Sequence, residues 1–261
     1  MQQYMETPRL TTIFVANNAG DYPGFADALR AAVAFSNTRV ISISNRDMGI
    51  GEHVCIEPYL DKIQWFVDEW AMWKGHPLHM WAYRCMNRWL IMSQYVKDAG
   101  ITGPLFTPDW DVLIFRDLHE SYPHFCHVPI TIYGCVYHVN DHAFFAEYER
   151  ALREALSDNE NSPEPFNDMN LWERIGLRKL ILTRPVNGFL VDVNMHVPQG
   201  CVMTDEIMWQ DKPSKKLEWI NKKPHVIAKD TQELVKVVSI HCWGAYKNMT
   251  SELLQKAGVS T

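Results

Sequence analysis

Two carboxylates that flank a single residue, Asp109-Trp110-Asp111, carry the clearest chemical signal in this 261-residue chain. An apolar run precedes them, and Val112-Leu113-Ile114-Phe115 follows before Asp117-Leu118. Unpaired carboxylates are costly beside so much apolar sequence, so the pair needs a counter-charge. If the chain turns there, both side chains face one water-filled edge and hold a hard divalent cation through oxygen. That leaves coordination positions for water and substrate phosphate. The Asp-x-Asp pattern also occurs in surface turns, so its context must decide. The histidine groups His119, His124 and His127 (with Cys126), and His76 with His79, lack a second ligand pair at zinc-finger spacing. They are read as solvated or hydrogen-bonded side chains.

The elements that must position these groups follow from periodicity. Thr11 to Ala16 is a short β-branched run that ends in the turn-rich Asn17-Asn18-Ala19-Gly20-Asp21. Phe25 to Phe35 has helical spacing, and Arg39 to Ile43 returns to strand. This is a βαβ unit and implies a parallel sheet. Ligands of such sheets bind beyond the carboxyl ends of the strands, here the loops that start at Asn17 and Ser44. Helical spacing continues over Tyr59 to Trp73 and His79 to Lys97, split by Gly75-His76-Pro77. The tryptophans crowded between Trp65 and Trp89 read as core, with sugar stacking as the alternative. Gly100 to Thr107 is the strand that delivers Asp109. Further strands are expected at Pro129 to Ile132, Gly134 to Val139, Lys179 to Thr183, Gly188 to Val193 and Val235 to Ile240. Asp141 to Leu156 and a short segment at Asp168 to Trp172 are expected helices, and a terminal helix closes the chain. With no internal repeat or low-complexity segment, residues 1–261 read as one α/β domain.

Composition narrows the partners. A formal net charge of -6 argues against a nucleic-acid backbone. The lysines of 212–223 form the nearest approach to a basic stripe and read as a solvated loop. The six cysteines are scattered without a CxxC pair, and the N-terminus has no apolar leader core. No stretch approaches the roughly 18 apolar residues of a membrane span. A cytoplasmic protein is the expectation.

The segment from Arg88-Trp89-Leu90 through Asp109-Trp110-Asp111 to Asp117-Leu118 resembles the Asp-x-Asp region of GT-A glycosyltransferases, in which an Arg-Trp helix precedes the strand that leads to the acidic pair. Thr107-Pro108 departs from the aliphatic pair usual there, and proline predicts an early strand end. His241-Cys242-Trp243-Gly244-Ala245-Tyr246-Lys247 is similar to the His-x-x-Gly-x-x-Lys signature of the glycogenin-like, family 8 type retaining enzymes. The resemblance implies that His241 joins Asp109 and Asp111 on Mn2+ or Mg2+, and that Gly244 and Lys247 lie against the donor diphosphate. Imidazole favours manganese, glycine admits close backbone approach, and lysine supplies a point charge. Asn248-Met249 replaces the usual Pro-Trp. Ile132 to Asn140 resembles the strand beneath the donor sugar, with Gly134 leaving room; a glycine in a bent core strand is the other reading. Phe166-Asn167-Asp168-Met169-Asn170-Leu171 is similar to the Asp-Gln/Met-x-x-Leu segment that opens a helix beside the reacting carbon. Asp168 would bond sugar or acceptor hydroxyls there, and the same residues also read as a helix N-cap.

The resemblance thus implies the GT-A fold, a single Rossmann-like α/β domain with a mixed central sheet flanked by helices. It also implies a nucleoside-diphosphate sugar, UDP-sugar favoured, as donor and a carbohydrate or other hydroxyl as acceptor. Asn17 and Asn18 would hold base and ribose, and Asp168 and Lys247 would act at the reacting centre. An inverting enzyme would need a base, Asp168 or Asp192. Two other readings stay open, a nucleotidyltransferase on a similar scaffold and a non-catalytic binding protein. Asn17-Asn18-Ala19-Gly20 has no Lys or Arg until Arg30, against the first. The proposal requires His241 to meet the acidic pair at one edge of the sheet.

Overall fold

The computed structural model describes residues 9–17, 22, 24–159, 165–209, 212–242 and 249–260. The chain begins with β1 (Thr11–Ala16), α1 (Phe25–Phe35), β2 (Arg39–Ser44) and β3 (Glu52–Cys55). β1, β2 and β3 pair in parallel, as the βαβ reading requires. Successive β1 side chains point to opposite faces, so Phe14 and Ala16 pack toward α1 while Ile13 enters the other core.

The second core lies under α2 (Glu57–Lys62), α3 (Gln64–Trp70) and α4 (His79–Asp98). The helical stretch expected from Tyr59 to Trp73 is divided at Ile63 and closes in a 3-10 turn over Ala71–Trp73. Trp70, Trp73 and Trp89 are buried in this core, whereas Trp81 on α4 is 52% exposed.

Then come β4 (Leu105–Pro108), β5 (Val112–Ile114), α5 (Leu118–Ser121), β6 (Ile130–Ile132), β7 (Val136–Val139), α6 (Ala143–Asp158) and β8 (Lys179–Ile181). The main sheet runs β3-β2-β1-β4-β7-β6-β8, with β7 antiparallel to both neighbours. β4 ends on Pro108, which pairs with Val136 one residue beyond the expected end at Thr107. Asp109 N–H donates toward β7, to the Cys135 carbonyl at 3.0 Å. By alternation the proline nitrogen faces β1, where the ladder has already ended at Phe106, so no strand bond is lost.

The chain closes with β9 (Phe189–Asn194), β10 (Met203–Trp209), β11 (Lys212–Lys215), β12 (Glu218–Ile220), β13 (Lys223–Ile227), β14 (Leu234–His241) and α7 (Thr250–Ala257). β14 is the hub of a second sheet: it pairs with β9 in parallel and with β13 and β5 antiparallel. Lys215 corrects the solvated-loop reading of 212–223. It sits in a paired strand and its side chain is buried. Its ammonium donates to the carbonyls of Asn194 and Val197 and to Gln199 Oε1, and burial pulls its pKa down to about 8. Among the described residues no helix is long and apolar enough to cross a membrane.

Candidate functional site

β1 and β4 are neighbours, yet the chain winds outward from β1 through β2 and β3 before returning on the far side as β4. That reversal leaves a crevice at the carboxyl ends of β1 and β4. A cavity of about 750 Å³ opens there. Asn17, at the end of β1, lies on its wall. Ser44 does not; it is buried one strand further out, with its hydroxyl on the Arg46 carbonyl. The loop after β2 is therefore corrected as a binding element.

The acidic pair turns between β4 and β5, where Val112 N–H closes the turn on the Asp109 carbonyl at 3.2 Å. The register of β5 against β14 sets His241 opposite Val112. Cys242 N–H then donates to the Asp111 carbonyl at 2.9 Å. As a result His241 Nε2 stands 3.3 Å from Asp111 Oδ1, and both residues are nearly buried. Two atoms bonded to one ion at about 2.1 Å at right angles lie roughly 3 Å apart, close to this spacing. A carboxylate oxygen of Asp109, the His241 imidazole and Cys135 Sγ also lie within 4.8 Å of one another. This donor set suits a divalent cation.

Asp109 and Asp168 share one counter-ion. Arg88 on α4 forms an ion pair with Asp109 and reaches Asp168 Oδ2 at 2.6 Å. Trp89 Nε1 donates to the same oxygen at 3.2 Å, and Arg88 also donates to the Tyr137 hydroxyl at 3.0 Å. Asp168 opens a 3-10 turn (Asp168–Leu171) whose cap is Asn167, through a capping box with Asn170. The capping role belongs to Asn167, which frees Asp168 to line the cavity.

Gly134 lines the same wall with φ at +101°. A Cβ there would lie 2.8 Å from Asp192 Oδ2, so the glycine admits a carboxylate of the protein itself. That oxygen accepts from Cys135 N–H at 2.9 Å. The other, Oδ1, is buried with no hydrogen-bond partner. Burial raises the Asp192 pKa, and Asp111 adds to the rise while His241 and the Cys135 N–H oppose it. Gln199 holds the backbone of Asp192, donating to its carbonyl at 2.6 Å, and Lys215 holds Gln199 from behind.

Asn17, Asp109, Asp111, Gly134, Asp168 and His241 all lie on this cavity. Asn18, Gly244 and Lys247 fall outside the described residues. The site readings had not included Tyr22, Arg84, Arg88, Cys135 or Lys215. Tyr22 stacks on Trp110 with ring centroids 4.0 Å apart, and the Arg84 guanidinium lies over Tyr22. Arg88 was legible as part of the Arg-Trp helix, but the others carry no spacing signal. Trp81 also lines the cavity, so it is the member of the tryptophan group open to a ligand.

No family model and no curated protein sequence matches this chain. Solved structures do. The galactosyltransferase LgtC, in complex with donor and acceptor sugar analogues, is similar over 96% of this chain and 96% of its own, with 11% identity and a TM-score of 0.53. Mouse xyloside xylosyltransferase 1 is similar over 67% of this chain and 86% of its own, with 11% identity and a TM-score of 0.46. The glycosyltransferase GlyE of Streptococcus pneumoniae is similar over 67% of this chain but only 45% of its own, with 11% identity and a TM-score of 0.42. The chain spans nearly the full length of LgtC. With its mixed sheet, its flanking helices and this likeness, the chain has the GT-A fold of glycosyltransferases.

Proposed function

We propose that residues 1–261 act as one metal-dependent glycosyltransferase domain that moves a sugar from a nucleoside-diphosphate sugar, UDP-sugar favoured, to an acceptor hydroxyl. The observation that carries this reading is the 3.3 Å approach of His241 to Asp111 at the cavity wall. The likeness to LgtC, a galactosyltransferase with bound donor and acceptor analogues, supports the same substrate classes.

Asp109, Asp111 and His241 would hold the cation, manganese by the imidazole's preference. When bound, it supplies Lewis-acid stabilisation of charge on the departing diphosphate. The remaining work belongs to the chain. Asn17, at the end of β1, holds the base and ribose, with Asn18 assigned by sequence alone. Gly244 and Lys247 are assigned to the diphosphate by their motif, where the lysine stabilises the leaving group as a point charge. Gly134 keeps the wall beneath the sugar low. Arg88 and Trp89 pin Asp168, whose carboxylate orients sugar or acceptor hydroxyls. One Asp168 oxygen already serves two donors, which suits orientation better than proton removal. Retention, as the His241 signature implies, asks for no strong protein base.

The test is hydrolysis of a panel of UDP- and GDP-sugars with and without Mn2+. The parent should consume at least one donor in a manganese-dependent way. Asp111→Ala should lose about a hundredfold or more, a few kcal/mol of transition-state stabilisation. Equal rates in parent and variant would remove Asp111 from the mechanism. Absence of turnover with every donor would favour a non-catalytic binding protein.

A further inference from the structure

Cys135 stands where the acidic pair and the late histidine meet, although neither motif contains it. Its backbone is locked from both sides. The N–H donates to Asp192 Oδ2 at 2.9 Å, and the carbonyl accepts from Asp109 N–H at 3.0 Å. The left-handed backbone of Gly134 turns the chain so that residue 135 flanks the acidic turn. Cys135 Sγ, an Asp109 oxygen and a His241 ring nitrogen therefore cluster within 4.8 Å of one another on the cavity wall. A second observation points the same way. Asp192 is 4% exposed and lines this cavity, and its Oδ1 is buried without a hydrogen-bond partner. An orphaned carboxylate oxygen beside such a cluster calls for positive charge.

We infer that Cys135 gives this centre a sulfur ligand beside Asp109 and His241, so that it takes thiophilic divalent ions such as Cd2+, Zn2+ and Co2+ in preference to Mg2+. The inference rests on the metal reading above and narrows it. A site of carboxylates alone would accept magnesium readily, whereas soft thiolate selects against it. Coordination forms one metal–sulfur bond and releases the thiol proton to solvent, with no change of oxidation state.

The experiment adds Cd2+ to the full-length, metal-free protein and records the ultraviolet difference spectrum, with Mn2+ binding followed separately by electron paramagnetic resonance. Expected is a thiolate-to-cadmium charge-transfer band that saturates at one equivalent. It should vanish in Cys135→Ser and persist in Cys85→Ser, the other cysteine on this cavity. Cd2+ affinity should fall at least about tenfold in Cys135→Ser, since loss of mere supporting groups already costs that much. On the parent itself, X-ray absorption at the cadmium edge should show a sulfur scatterer bound to the ion, which keeps the test valid if the serine variant misfolds. Mn2+ binding that His241→Ala weakens, with no sulfur band in the parent or one that survives in Cys135→Ser, would overturn the sulfur ligand and leave the metal reading standing. Failure of the parent to bind either ion would overturn both.

Discussion

Arg88 donates to the Asp168 carboxylate over 2.6 Å while the same guanidinium pairs with Asp109. One cation on α4 thus ties the acidic turn after β4 to the 3-10 turn that begins at Asp168, two segments far apart in the chain. Each carboxylate sits where water is scarce, with side-chain exposures of 22% and 5%. The guanidinium supplies a counter-charge to both.

Arg88→Ala leaves both carboxylates without that counter-charge and should destabilise the fold by about 3 kcal/mol. Urea denaturation measures it. Arg88→Lys should recover only part of the loss, since an ammonium has no planar fork to serve Asp109 and Asp168 together. A change of less than about 1 kcal/mol in the alanine variant would mean that the pair is solvated as surface pairs are.

Gly134 and Gly75 make a matched comparison. Both have positive φ, +101° and +95°, but a Cβ on Gly75 meets nothing within 4 Å. Gly75→Ala should therefore cost only backbone strain, about 1 kcal/mol. Gly134→Ala adds a clash with Asp192 Oδ2 and should cost roughly twice as much or more. It should also disturb the Cys135–Asp192 hydrogen bond, read as faster amide exchange at Cys135. Equal melting temperatures for the two variants would show that Asp192 moves aside freely.

His138 on β7 makes stability depend on pH. Burial pushes its pKa from 6.5 down to about 3, and its Nε2 has no hydrogen-bond partner. Above pH 6.5 the ring is neutral both folded and unfolded, so it contributes no slope. As pH falls below 6.5 the unfolded chain takes up a proton that the folded chain refuses until about pH 3, and stability is lost across that window. His138→Phe keeps an aromatic ring beside Phe106, whose centroid is 4.8 Å away. The variant should lose less stability than the parent between neutral pH and about pH 4.5 in urea titrations. Parallel stability curves would show that water reaches the ring.

Local forces leave the plainest marks in the sequence. Alternation in Thr11 to Ala16 and helical spacing in Phe25 to Phe35 reflect which side chains face a core, a property of neighbours in sequence. The turn at Asp109-Trp110-Asp111 was legible because carboxylates interrupt an apolar run. A distant partner can give a residue a role its neighbours in sequence do not show. Lys215 looks like one of several surface lysines, yet three oxygens from the Asn194–Gln199 stretch draw it inside. Pro108 is the last residue of β4 and still pairs with Val136, because its missing N–H faces β1 beyond the last β1–β4 pair.

The amino-acid order alone dictated a strand-and-helix alternation and the types of ligand available, because hydrophobic periodicity and side-chain chemistry act over a few residues. It could not dictate which of those side chains meet. That was decided by the antiparallel register of β5 on β14, which seats His241 opposite Val112, and by the Gly134 turn that swings Cys135 alongside Asp109. Register depends on the packing of two sheets against a common core, a long-range condition that no spacing along the chain encodes.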